Sequence, residues 1–261
     1  MVSTGKFGAL QKLRERPITP RESVRSAIQG YRNLPIDQSK PEYAEGLVSA
    51  SALGLAGANY YASERNPPYW RRIDGAIDDV LVRESVGARL QAVDKRLRAE
   101  GLQLFLHDGW RPRAVQTYFH DVWMPAEVRR RHPGWDEARV MVEVERYWAA
   151  PSDSADRPAP HATGGAVDLT LVWSDGAPLW MGSLFDDATA VAHVDRFETP
   201  TETMSFSDEE ARANRRLLFW LMTEQGFASL PSEWWHYSYG DQIWAAASGH
   251  ACALYGLAGE G

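Results

Sequence analysis

Apolar residues recur at helical spacing from about Arg83 to Glu100, where Val86, Leu90, Val93 and Leu97 fall on one stripe. Gly101 stands where a helix usually stops. The period then changes to two. Leu102, Leu104 and Leu106 alternate with Gln103, Phe105 and His107, which predicts a strand. It runs into Asp108-Gly109-Trp110-Arg111-Pro112, a turn by composition. Helices are predicted over about Arg113 to Trp123 and Glu137 to Trp148. Pro151 to Pro160 is a Pro/Ser/Asp/Ala loop that delivers the chain to His161. Ala166 to Val172 is a β-branched apolar run and a predicted strand, closed by the turn Ser174-Asp175-Gly176. Ser207 with Glu210 three residues on has the pattern of a capping box, so a long helix is predicted from Ser207 to near Gly226. Trp234 to Tyr239 is aromatic and predicted as a strand.

Residues 1–50 are different. Periodicity is weak, basic residues are scattered, and Pro17, Pro20, Pro35 and Pro41 interrupt the stretch. A short helix or two wrapped on the main domain is expected, as a peripheral extension without a catalytic role. No internal repeat or linker divides residues 50–250. The organisation is therefore an N-terminal extension over 1–50 packed on one domain over 51–261.

The chain of 261 residues is 44% hydrophobic and 24% charged, enough apolar surface for a sizeable core and too much for wholesale disorder. Its net charge of −7 argues against a nucleic-acid coat. No run of 18 apolar residues is present, so no spanning helix is expected. Met1 to Gly30 lacks the apolar core of a secretory signal, which gives the expectation of a cytoplasmic protein without nucleic-acid or membrane partners. The oligomeric state is not readable from the sequence. The single cysteine, Cys252, excludes a disulfide within the chain and any multi-cysteine zinc site. A metal would have to be held by His, Asp or Glu.

His-Glu-x-x-His, Gly-x-Ser-x-Gly and P-loop patterns are all absent. Two segments carry the chemistry. Asp168 lies inside an apolar strand, where an unpartnered carboxylate is costly, so it must be hydrogen-bonded, ion-paired or on a metal. Glu233 and His236 flank two tryptophans, a setting of low dielectric.

The segments His161-Ala162-Thr163-Gly164-Gly165-Ala166-Val167-Asp168 and Glu233-Trp234-Trp235-His236 together resemble the zinc D,D-peptidases of the D-alanyl-D-alanine dipeptidase family (VanX-like, peptidase family M15). Asp108-Gly109-Trp110-Arg111-Pro112 resembles that family's arginine segment. Met181-Gly182-Ser183-Leu184-Phe185-Asp186 resembles its substrate-acid segment, and Tyr61-Ala62-Ser63-Glu64-Arg65-Asn66 loosely resembles its tyrosine segment. The pieces span about residues 58–240, in the family's order.

The resemblance implies an α+β fold with a central, mostly antiparallel sheet flanked by helices, the Hedgehog/D,D-peptidase-like zinc peptidase fold. It implies that His161, Asp168 and His236 hold one Zn2+ per subunit, that Glu233 is the general base, and that Arg111 stabilises the oxyanion. It implies that Asp186, with Tyr61, holds the ammonium of a small dipeptide substrate. A D,D-carboxypeptidase or endopeptidase acting on peptidoglycan stems and a zinc-binding module without turnover are the alternatives. One departure stands out. Ala159 occupies a position, two before His161, where the family often has serine, and Thr163 is a possible substitute for the lost hydroxyl.

Residue by residue, other readings stay open. Arg111 pairs with Asp108 at a turn, Asp186-Asp187 is a solvated acidic turn, Tyr61 is a core aromatic with Tyr60 competing for its role, and His107 is a satisfied structural histidine. Residues three apart on a strand face opposite ways. Glu233 and His236 can therefore meet at one metal only if the chain bends between them or if Glu233 precedes the strand. Asp168 is expected to share a face with Ala166 and Thr170. The face of His236 should lie opposite it or beside it on one sheet.

Overall fold

The computed structural model describes residues 8–19, 21–152, 154–199 and 204–259. Within the N-terminal stretch, residues 1–7 and Pro20 lie outside the described residues. The rest of that stretch forms two short helices, α1 (Gly8–Glu15) and α2 (Glu22–Ala27), then β1 (Leu47–Ser49). Next come β2 (Ala56–Gly57), β3 (Leu81–Arg83), α3 (Glu84–Arg98), β4 (Leu102–Asp108), α4 (Arg113–Thr117), α5 (Met124–Arg131) and α6 (Glu137–Tyr147). The chain closes with β5 (Ala166–Trp173), α7 (Phe206–Glu224), β6 (Ala228–Ser229), β7 (His236–Ser238) and α8 (Gln242–Ser248).

Among the described residues, five strands form the central sheet in the order β2-β4-β5-β7-β6. Only the β2–β4 pair is parallel; β4–β5, β5–β7 and β6–β7 are antiparallel. The architecture is the expected α+β one with a mostly antiparallel sheet. β1 and β3 pair separately as a two-stranded antiparallel ribbon. No described helix is long and apolar enough to cross a membrane.

The period-two pattern of β4 decides which face is core. Leu102, Leu104 and Leu106 are buried and stand opposite Trp173, Leu171 and Leu169 of β5. Against this region pack the stripe Val86, Leu90, Val93 and Leu97 of α3 and the residues Leu217, Leu218, Leu221 and Met222 of α7, all fully buried. The opposite face carries Phe105 across from Thr170 and, further along, Asp168 across from His236. A register shift between Leu106 and Asp108 sets Asp108 opposite Asp168, where an unbroken ladder would place His107. Such a bulge turns a side chain from one face to the other. Here it moves a carboxylate onto the functional face.

Three boundaries differ from expectation. The helix predicted to end at Trp123 continues to Arg131 through a π-helical turn over Tyr118–Trp123. Pro125 sits just after that turn, where wider spacing relieves the clash a proline ring makes inside a regular helix. The capping box of α7 uses Ser205 and Asp208 rather than Ser207 and Glu210. The two serine–acid pairs have the same spacing, and the upstream pair takes the role. The strand predicted from Trp234 begins at His236.

The loop between β5 and α7 is pinned from beneath. Arg215, 2% exposed, donates from Nε to Met181 O (2.6 Å), from Nη1 to His193 O (2.6 Å) and from Nη2 to Val191 O (2.9 Å). Arg215→Met orphans three carbonyls at about 1–3 kcal/mol each. The expected loss is about 3–5 kcal/mol, read as a lower urea midpoint at unchanged m-value. An unchanged midpoint would show that the loop holds without this clamp.

Candidate metal and catalytic site

His161, Asp168 and His236 converge on the functional face, all buried, with one donor atom from each within 4.8 Å of the others. Cross-strand pairing of Asp168 with His236 puts both on one face of one sheet, side by side. His161 arrives from the short 3-10 turn Pro160–Thr163, which ends in the left-handed Gly164 (φ 71°). The left-handed φ at Gly164 strains any side chain there, and a Cβ would also have to push Leu47 Cδ2 aside from 2.5 Å.

Each imidazole is fixed by what its far nitrogen meets. His161 Nδ1 lies 2.8 Å from Gly109 O, an acceptor only, so Nδ1 carries the proton and Nε2 presents its lone pair. His236 Nε2 lies 3.2 Å from Ser238 Oγ, which leaves Nδ1 facing the cluster. The donors are 3.2 Å apart between the imidazoles, 3.4 Å from His161 Nε2 to Asp168 Oδ2, and 3.0 Å from His236 Nδ1 to Asp168 Oδ1. Tetrahedral bonds of about 2.0–2.1 Å require donors roughly 3.3–3.4 Å apart. Asp168 Oδ1 is buried and forms no hydrogen bond of good geometry, its near neighbour being the His236 Nδ1 that would share a cation with it. Burial works against the Asp168 charge, yet the two imidazoles hold the carboxyl well below its usual range. Donor chemistry, spacing and burial all fit a divalent ion of the zinc type.

Glu233 precedes the strand, so the spacing problem of three residues does not arise. Turns on either side of it bring its carboxylate back toward His236, with Oε2 3.8 Å from Nδ1. Burial, then the charges of Asp168 and Asp186, push its carboxyl well above the ordinary range. Trp235 lines the cleft with it. Trp234 turns away to donate to Ser183 Oγ (2.9 Å).

Arg111 is 6% exposed and held on all sides. Nε donates to Asp108 Oδ2 (2.8 Å), Nη1 to Gln116 Oε1 (2.9 Å), and Nη2 to Tyr61 Oη (3.4 Å) and Asp168 Oδ2 (3.5 Å). Its guanidinium carbon sits 5.0 Å from the Tyr61 ring centre and 4.8 Å from that of Trp148. The pairing with Asp108 and a position in the cleft are thus both true of Arg111. Burial opposes its charge, but Tyr61, Asp108, Asp168 and Asp186 more than offset this and raise its pKa.

Asp186 has φ 58° and lies half-buried in the same cleft, so it is not a solvated surface turn. Tyr61 Oη (3.0 Å) and Tyr69 Oη (2.9 Å) both donate to its Oδ2, and neither engages Oδ1. Burial first, and the Asp168 charge second, raise its pKa to about 7. Tyr60 is excluded from this role because its hydroxyl donates to Pro67 O (2.6 Å). His107 stacks on Phe185 with ring centres 4.8 Å apart. Burial lowers its pKa to about 4, consistent with a neutral packing residue. Thr163 does not replace the missing serine: its hydroxyl donates to Pro160 O (2.6 Å) and accepts from Gly165 N (2.9 Å).

Three partners escaped sequence reasoning. Tyr69 gives Asp186 its second phenol, Gln116 fixes one arm of Arg111, and Ser238 orients His236. Tyr69 follows two prolines without any periodic signal. Gln116 and Ser238 are polar residues in a helix and a strand, and only the fold shows what they face.

The cleft has a volume of about 530 Å3 and is lined by Arg111, His161, Asp168, Asp186, Glu233 and His236 among others. Around the metal cluster the carboxylates Asp168, Asp186 and Glu233 face the single buried guanidinium of Arg111, and a divalent cation there would offset the excess of negative charge.

Comparison with known proteins agrees with this chemistry. The family model described as peptidase M15, D-ala-D-ala dipeptidase, matches residues 69–253. The D-alanyl-D-alanine dipeptidase of Synechocystis sp. is 36% identical over 109 residues, 41% of this chain and 44% of the relative. That of Streptomyces coelicolor is 31% identical over 180 residues, 65% of this chain and 81% of the relative. The chain thus spans less than half of the first relative's length and about four fifths of the second's. A solved structure, VanYB in complex with D-Alanine-D-Alanine, aligns over 86% of this chain and 95% of that one, with 16% identity and a TM-score of 0.41. Since the matched residues 69–253 are well over half of the sequence, the chain belongs to the peptidase M15 family of D-Ala-D-Ala dipeptidases.

Proposed function

We propose that the protein is a zinc-dependent dipeptidase that hydrolyses D-alanyl-D-alanine or a closely similar small dipeptide. The observation that carries this reading is the shared cleft. The His161–Asp168–His236 cluster, the Arg111 guanidinium, the Glu233 carboxylate and the phenol-braced Asp186 all line it or face it. The names of the relatives support the same substrate.

Each residue has a task there. Asp186 pairs with the free ammonium of the substrate, steadied by Tyr61 and Tyr69. Arg111 faces the scissile carbonyl and takes up the negative charge that develops on its oxygen, without a proton to lose. Zinc, when bound, polarises that carbonyl and lowers the pKa of a water from about 15.7 toward about 7. Glu233 accepts the proton of the attacking water and hands it to the leaving amine. Trp235 and Trp148 keep bulk water from these groups and strengthen their interactions.

The ammonium contact separates a dipeptidase from an enzyme acting on chain ends. Asp186→Asn should raise KM for D-Ala-D-Ala about 10–100-fold, the worth of a charge-assisted bond of about 1.5–3 kcal/mol. It should leave kcat nearly constant. The N-acetylated dipeptide should be a poor substrate of both proteins. Good cleavage of the blocked peptide, indifferent to Asp186→Asn, would move the assignment to a D,D-carboxypeptidase.

The sign of the pH effect follows. Asp186 binds an ammonium only when ionised, and its pKa is raised to about 7. Wild-type kcat/KM should therefore fall on the acid side as Asp186 takes up a proton, and bound zinc, by offsetting the Asp168 charge, should move that limb below the metal-free value. In the bound complex the ammonium holds Asp186 ionised, so this limb should move to lower pH in kcat.

A further inference from the structure

Part of the cleft wall comes from the stretch that precedes the family match. Arg25, Ile28, Gln29 and Tyr31 line the same cavity as the metal cluster and Glu233. This stretch is fastened to both banks of the cleft. At one end Asp195 accepts from Arg21 N (3.1 Å) and from Arg25 Nη2 (3.0 Å). Arg25 Nη2 also reaches Pro231 O (3.4 Å), two residues before Glu233. At the other end Arg32 Nη2 donates to Ala150 O (2.6 Å). Gln242 Nε2 donates to Leu34 O (2.6 Å) and to Asp156 O (2.9 Å). Ala150 lies two residues past Trp148, whose ring stacks beneath Arg111. The chain between these anchors crosses from the Glu233 bank to the Arg111 bank.

We propose that residues 21–34 form a strap that closes one end of the cleft and sets the length of peptide the site accepts. The strap is therefore a specificity element rather than a peripheral extension. The inference rests on the peptidase reading above. An enzyme that trims longer peptides needs its cleft open beyond at least one end of the dipeptide. Here a peptide continuing past the dipeptide must displace Ile28, Gln29 and Tyr31, and with them a two-pronged arginine–carboxylate pair. That contact is buried enough to be worth more than a surface pair: Asp195 is 15% exposed and Arg25 30%. Asp195 also accepts from the strap's backbone at Arg21 N, so one carboxylate ties both a side chain and the main chain.

The test uses the full-length, zinc-loaded protein carrying Arg25→Ala and Arg32→Ala together. Neither residue touches the metal cluster, Arg111, Asp186 or Glu233. The ratio of kcat/KM for D-Ala-D-Ala-D-Ala to that for D-Ala-D-Ala should rise at least about tenfold, with kcat for the dipeptide kept within about threefold. Zinc stripping by a chelator should accelerate in the same protein. That readout needs no substrate, so it still decides about the strap if the wild type cleaves neither peptide and the functional reading fails. Should the double variant not fold, Gln29→Trp keeps both anchors and narrows the opening. It should raise KM for the dipeptide at constant kcat and slow zinc stripping. An unchanged peptide ratio together with an unchanged stripping rate in the folded variants would overturn the strap.

Discussion

Glu233→Gln will keep its zinc and lose about 10²–10⁴-fold in kcat, the usual worth of a positioned general base. Glutamine has nearly the same shape but cannot take a proton from water. Glu233 is not one of the three converging ligand groups, so zinc stoichiometry should stay at that of the wild type. A second readout separates a catalytic role from mere packing. Burial, Asp168 and Asp186 raise the Glu233 pKa in the folded state, so its ionisation near neutral pH is a cost to the fold. A neutral glutamine relieves that cost. The metal-free variant should therefore melt higher than metal-free wild type while being far less active. Lower activity with a lower melting temperature would point to damage of the fold instead.

Replacing His161 by alanine should empty the site. Two protein ligands remain, and the cluster then lacks the imidazole whose tautomer is set by Gly109 O. Losing only a supporting contact of a ligand typically weakens metal binding 10–100-fold. Loss of the ligand itself should exceed about 100-fold, taking zinc content toward zero after dialysis and activity to background. The stability gained on adding zinc, which follows RT ln(1 + [L]/Kd), should vanish in the same variant. Full zinc content in His161→Ala would place the metal elsewhere in the protein.

Much of this site can be read from the chain because its chemistry sits on regular elements. A carboxylate at Asp168 interrupts an otherwise apolar strand, and such an interruption needs a partner. The alternation of Leu102, Leu104 and Leu106 fixes which face of β4 is core, and so which face is left for function. The same pattern hid the bulge at the end of β4. Alternation read straight through leaves Asp108 on the leucine face, and only the pairing with β5 shows the shift. Caps were ambiguous where the same spacing occurs twice, as with Ser205–Asp208 and Ser207–Glu210. Partners from distant segments were invisible. Tyr69 reaches Asp186 across 117 positions, and Arg25 reaches Pro231 across 206. Polar residues without periodicity, such as Gln29 and Arg32, look like solvent-facing chain until the fold shows what they cross. Ala159 is buried and Thr163 is committed to its own turn. Neither residue therefore offers a free hydroxyl to the cleft from this loop.

Zinc-dependent dipeptide hydrolysis is tested by release of D-alanine from D-Ala-D-Ala by protein carrying one zinc per chain, set against the same protein stripped of metal. Turnover is expected in the zinc form, with loss on stripping and recovery on adding back one equivalent. Full zinc occupancy without release of D-alanine, or equal release by the metal-free protein, would contradict zinc-dependent hydrolysis.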